Sequence, residues 1–124
     1  MEHNFTKLRI WQLAHELTLK IYEASSHFPK EETFGLTSQL RRAAVSIELN
    51  NAEGESRYYQ AEKFRFFVMA RGSISEVINC LLIAKDLDYK LEKNSYNNLL
   101  EEYTSLIKQT NSLINHQRKI KSNG

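Results

Sequence analysis

A site that cleaves a phosphodiester needs a cation to hold phosphate and an imidazole to move a proton. Arg9 and His15 are the residues whose spacing suggests such a pair. On one helix they would point about 120° apart around the axis and lie about 9 Å apart along it. They would therefore converge only across a subunit interface. With four histidines and 17 lysines and arginines in the chain, the spacing also arises by chance.

A second polar group is Gln39, Arg42, Ser73 and Glu76. It reads as a latch of hydrogen bonds between two helices, or as a small-ligand site around Arg42 and Glu76. A third feature is the clustering of cations: Arg41 beside Arg42; Arg57, Lys63 and Arg65; Arg118, Lys119 and Lys121. On one copy these are a solvated helix surface. Repeated around a ring they would make a strong positive field, suited to phosphate. Tyr58 and Tyr59 stand beside the second cluster. An aromatic pair there suits a contact between copies or the stacking of bases.

No metal centre or other cofactor is expected. A di-iron bundle needs Glu-x-x-His on two of its helices. None of His3, His15, His27 and His116 has a glutamate three residues before it. Cys80 stands alone, which rules out an internal disulfide and leaves zinc without a ligand set. Among Val77, Leu81 and Ala84 it reads as a core or interface residue. No glycine-rich phosphate loop, nucleophile elbow or Ser/His/Asp pattern occurs, so the chain reads as non-enzymatic, with the Arg9/His15 ribonuclease as the alternative.

The elements that must position these residues are helices. One proline and four glycines in 124 residues leave room for few, long segments. Apolar residues recur at three- and four-residue steps over about 6–27, 34–53, 60–87 and 95–117. Thr6 is the expected N-cap of the first segment, and Gly54 the residue just past the end of the second. Acidic residues before the second helix suit its positive end. Asn94 or Ser95 caps the fourth. The third segment is apolar nearly all round, which argues for burial on several sides and for self-association. Short connections make this an all-α, antiparallel up-down-up-down four-helix bundle. It forms one domain over 1–124, with a basic tail at 118–124. A hydrophobic content of 41% is enough for a core at this length.

In an antiparallel pair turning near Tyr58, Ala43 faces Gly72, Arg42 faces Ser73 and Gln39 faces Glu76. Small residues then meet small ones, and Gly72 has its reason in a close helix crossing. Asn50 falls on the buried stripe of its helix. Arg41 points outward.

The net charge is +2, weak evidence by itself for a polyanionic partner. The lone cysteine suits a reducing cytoplasm. The first residues lack a signal-peptide pattern, and no stretch approaches the run of about 18 apolar residues that a membrane span needs. A cytoplasmic location and no membrane partner are expected.

Several motifs carry a resemblance. They are Phe5…Leu8-x-Ile10-Trp11-Gln12-x-Ala14; Phe28-Pro29-x3-Thr33-Phe34-Gly35-Leu36-Thr37-x-Gln39-x-Arg41-Arg42-Ala43-Ala44-x-Ser46-Ile47; Asn50-x-Ala52-Glu53-Gly54 with Arg57; Glu62-x-x-Arg65-Phe66; and Ala70-x-Gly72-Ser73-x-x-Glu76. In them the chain resembles the four-helix-bundle family encoded within intervening sequences of large-subunit ribosomal RNA genes. The resemblance covers nearly the whole chain. It implies a cyclic homo-oligomer, a pentamer, and by analogy with the accessory protein of diversity-generating retroelements a scaffold that binds nucleic acid or a protein. Asn51 departs from the family's usual isoleucine, and Tyr59 lies near a common serine. The expected nucleic-acid contacts are Arg41, Arg57, Lys63, Arg65, Arg118, Lys119 and Lys121. A purely structural assembly subunit is a third reading.

Overall fold

The computed structural model describes residues 3–123, with side chains through Lys119. Among them are four α-helices: α1 Arg9–Ala24, α2 Leu36–Ser56, α3 Gln60–Asp86 and α4 Tyr96–Asn123. No strand occurs among the described residues.

Cross-helix hydrogen bonds set the arrangement. Thr18 Oγ1 donates to Ala44 O and Arg41 Nε to Ser25 Oγ, joining α2 to α1 and the turn that follows it. Ser46 and Ser73 pair hydroxyl to hydroxyl at 2.9 Å between α2 and α3. Arg71 Nη1 donates to Asn111 Oδ1 between α3 and α4. Lys20 Nζ reaches Glu102 at 3.0 Å between α1 and α4, and Glu92 N donates to Ala24 O. The contacts are compatible with a four-helix bundle. Phe5 lines a cavity with Glu55 and Ser56, and Arg118 lies over Phe64, so one end gathers the start of the chain, the α2–α3 turn and the end of α4.

The first segment is less regular than its periodicity suggests. A 3-10 turn at Asn4–Lys7 precedes α1, and Leu8, without a side-chain cap, opens the helix. Thr6 is no cap: its hydroxyl donates to His3 O inside the turn. A second 3-10 turn, Ser25–His27, ends the segment. Before α2, the Glu32 carboxylate accepts from Leu36 N and from the Tyr89 hydroxyl, so the acidic residue expected there also ties down the α3–α4 loop. Ser95 caps α4 as expected, accepting from Asn98 N.

The core is a stack of Leu17, Ile21, Leu40, Ile47, Phe67, Ile74, Leu81, Leu99, Tyr103, Leu106 and Ile114, each almost wholly buried. Asn51, not Asn50, is the asparagine inside it. Asn51 is fully buried and neither atom of its amide has a protein partner. Asn50 sits half-buried and donates to Ser46 O. Tyr103 is fully buried too, with a hydroxyl that no protein group meets. Burial, with Glu102 and Glu48 nearby, pushes its phenol pKa far up.

Gly54 does not end α2. The helix continues to Ser56, and Gly54 is buried inside it. A methyl group built there would lie 2.8 Å from Phe67 Cε1. The close crossing of α2 and α3 therefore belongs to Gly54 and Phe67. Around Gly72 a methyl group would meet nothing within 4 Å. Ser73 faces Ser46, one turn beyond the Arg42 expected opposite it. The predicted register is displaced by that turn.

α3 is long and apolar enough to cross a membrane by length and composition, contrary to the sequence expectation. Here its Phe67, Ala70, Ile74, Val77, Cys80, Leu81 and Ala84 face is buried in the core. Burial, with Glu76 nearby, pushes the Cys80 thiol pKa up and keeps it a neutral core group.

Candidate nucleic-acid interface

The two ends of the bundle differ in charge. Near the α2–α3 turn lie Lys7, Arg9, Arg57, Lys63, Arg65, Arg118 and Lys119, against Glu53, Glu55 and Glu62. The opposite end gathers Glu23, Glu31, Glu32, Asp86, Asp88 and Glu92, against Lys30, Arg41, Lys85, Lys90 and Lys93. A chain with a formal charge of only +2 thus presents a distinctly positive end.

Several of those cations have local work. Lys63 Nζ donates to the carbonyls of Glu55 (3.0 Å) and Gly54 (3.4 Å), capping the end of α2. A lysine there covers bare carbonyls and offsets the helix's negative end. Arg57 pairs with Glu53 at 3.1 Å, and its guanidinium lies 4.8 Å from the Phe66 ring centroid. Arg118 lies over Phe64 at 5.7 Å. Arg65 and Lys119 are exposed. Lys121 lies outside the residues whose side chains are described. Tyr58 and Tyr59 stand at the same end, 86% and 66% exposed. Their rings meet edge to face, centroids 5.1 Å apart.

The adjacent arginines behave oppositely to expectation. Arg41 is held inward: Nε donates to Ser25 Oγ (2.9 Å), Nη2 to Tyr22 O (3.1 Å), and the guanidinium covers the Tyr22 ring. It fastens α2 to the end of α1. Arg42 is the exposed one. Among the described residues, Gln39, Arg42 and Glu76 make no side-chain hydrogen bond or ion pair; only Ser73 of the expected latch is bonded, to Ser46. Instead Gln39, Arg42 and Glu76 line an open cavity of about 670 Å³ with Phe34, Ser38, Ala43 and Ser46.

Around that cavity runs an apolar face. Phe34 is 98% exposed, and Leu49, Met69, Ile83 and Leu87 are each about half exposed. On α3, Met69, Gly72, Glu76, Ile83 and Leu87 fall at helical spacing on one outward stripe. Sequence reasoning missed Phe34 as a surface residue. Its signal is the absence of an apolar partner at the start of α2: Leu36 and Thr37 take the buried positions there.

Arg9 is exposed at the start of α1. His15 Nδ1 lies 2.9 Å from Glu48 Oε2, and its ring stacks on Trp11 at 4.8 Å. Within the chain, then, His15 is engaged by an acid and an indole. Among the described residues no group of three or more His, Cys, Asp or Glu side chains is placed to hold a metal ion.

The 23S rRNA-intervening sequence protein family model matches residues 6–112, from the first 3-10 turn well into α4. The chain belongs to that family. Family membership does not assign a ligand. The match includes the Tyr58–Tyr59 turn and all of α2 and α3, and stops short of Arg118 and Lys119. No curated protein matches the chain significantly.

Proposed function

We propose that this antiparallel up-down-up-down bundle is a non-enzymatic scaffold that binds nucleic acid at its cation-rich end and assembles with copies of itself, as a cyclic pentamer. The observation that carries the binding reading is the segregation of charge along the bundle. Polyanions read local field, not net charge, and a ring would repeat that field around its axis. Self-assembly is supported by the face around Phe34, Leu49, Met69 and Ile83, which nothing among the described residues covers. Arg42 and Glu76 lie unpaired on that face, an opposite-charge pair available to a neighbouring copy.

Two measurements test the proposal. Fluorescence anisotropy with a labelled RNA or DNA should show binding that weakens steeply with salt; no binding at low salt would remove the nucleic-acid reading. Light scattering should give a mass several times that of one chain, and Arg42→Glu should lower it. A parent protein that stays monomeric would remove the ring.

A further inference from the structure

Resting on the nucleic-acid reading above, we infer that the ligand is single-stranded and that Tyr58 and Tyr59 are the platform on which its bases stack. The two tyrosines form the turn between α2 and α3 and are the most exposed tyrosines at the positive end. Their edge-to-face arrangement leaves the face of one ring open to a planar group. An exposed aromatic pair in a two-helix turn adds nothing to this core. Phe67, a few residues on, supplies the apolar packing at that point.

The setting around the rings favours an anion carrying bases. Lys63 covers the last carbonyls of α2, so the negative end of that helix does not face an incoming phosphate. Glu53 is already paired with Arg57, and Glu55, two residues nearer the turn, is half-buried. Arg65 stands exposed one turn into α3, and Lys119 is exposed at the end of α4. Glu62 is the exposed carboxylate that opposes them.

Such a site is specific to unpaired strands for a physical reason. In a duplex the faces of the bases are consumed by their own stacking. In a single strand they are available to aromatic side chains, with a cationic groove tracking the backbone. Two tyrosines on a turn cannot enter a duplex groove as a helix does. They can take a splayed base on the open ring face. The tyrosines supply stacking that is independent of salt, and the cations supply the salt-dependent part.

The test uses the full chain with three probes of equal length: a fluorescein-labelled oligouridylate, an oligodeoxythymidylate and a blunt DNA duplex. Anisotropy titrations are run at several salt concentrations on the parent, on Tyr58→Ala/Tyr59→Ala and on Arg65→Ala/Lys119→Ala. Because all four side chains are exposed, the variants should fold, which circular dichroism checks. The single strands should bind at least tenfold more tightly than the duplex. The tyrosine variant should lose tenfold or more in single-strand affinity with an unchanged salt slope. The cation variant should lose slope by about two. The two single-stranded probes report whether RNA or DNA is preferred. Duplex binding equal to single-strand binding overturns the inference, and so does a tyrosine variant that binds like the parent. A tyrosine variant whose assembly mass falls while its binding per chain holds also overturns it, assigning the rings to a contact between copies. All three results leave the nucleic-acid reading standing. Absence of binding to every probe removes both.

Discussion

Gly54 and Gly72 are both glycines inside long helices, and they serve opposite surroundings. Gly54 lies against the Phe67 ring, where an added methyl would sit 2.8 Å from a ring carbon. Gly72 lies on the outward stripe of α3, where the same methyl would meet open space. A glycine in a helix costs about 1 kcal/mol relative to alanine wherever it stands. At Gly54 the chain recovers that cost internally, because an aromatic ring and the α2 backbone come into direct contact. At Gly72 nothing among the described residues recovers it. On the assembly proposed above, a neighbouring copy would use that space, beside the exposed Met69 and Ile83 of the same stripe.

Substitutions can break this contrast. The largest effect is expected from Gly54→Val. Its branched side chain must displace a ring held in a buried slot, and overpacking of this kind costs about 3 kcal/mol. A lowered urea midpoint at unchanged slope would show it; an unchanged midpoint would mean that Phe67 moves aside freely. Next comes Asn51→Leu, one turn before Gly54 on the same buried face. A buried amide without a protein partner is destabilising, and an apolar side chain of similar size should raise stability by about 2 kcal/mol. A drop instead would show that Asn51 is satisfied in solution. The smallest is Gly72→Ala, expected to stabilise by about 1 kcal/mol at concentrations where the chain is monomeric. If Gly72 admits a neighbouring backbone, that gain should shrink as concentration rises and copies assemble. A gain independent of concentration would make Gly72 a neutral surface residue.

The same pair explains what could be read from the residues alone. The four helices followed from periodicity and from the scarcity of breakers. The Ser95 cap and the acidic start of α2 are local chemistry and were legible. The helix crossing was not. Gly54, followed closely by Arg57 and two tyrosines, has every mark of a helix end. Gly72, among alanine and serine, has every mark of a seam. Sequence shows that a side chain is missing; it does not show on which side the vacated space is used. The misplaced seam displaced the register by a turn, and the reading of Gln39, Arg42 and Glu76 as a latch went with it. The two arginines reversed for a related reason. A one-residue step turns a helix by about 100°. Whether Arg41 or Arg42 finds a partner then depends on where α1 ends. It ends in a 3-10 turn whose Ser25 hydroxyl is placed for Arg41. The charge segregation was hidden because residues far apart in the chain make up each end.

That segregation also bears on assembly. A bundle that carries its positive excess at one end has a permanent electric dipole along its length. In the proposed ring, cyclic symmetry would give every copy the same axial component, so bundles standing along the axis would set like ends side by side and repel through solvent. Contact between their faces must exceed that repulsion, and salt screens it. If that repulsion exceeds the attraction of Arg42 for Glu76 between copies, the proposed ring should strengthen with ionic strength while its hold on a polyanion weakens.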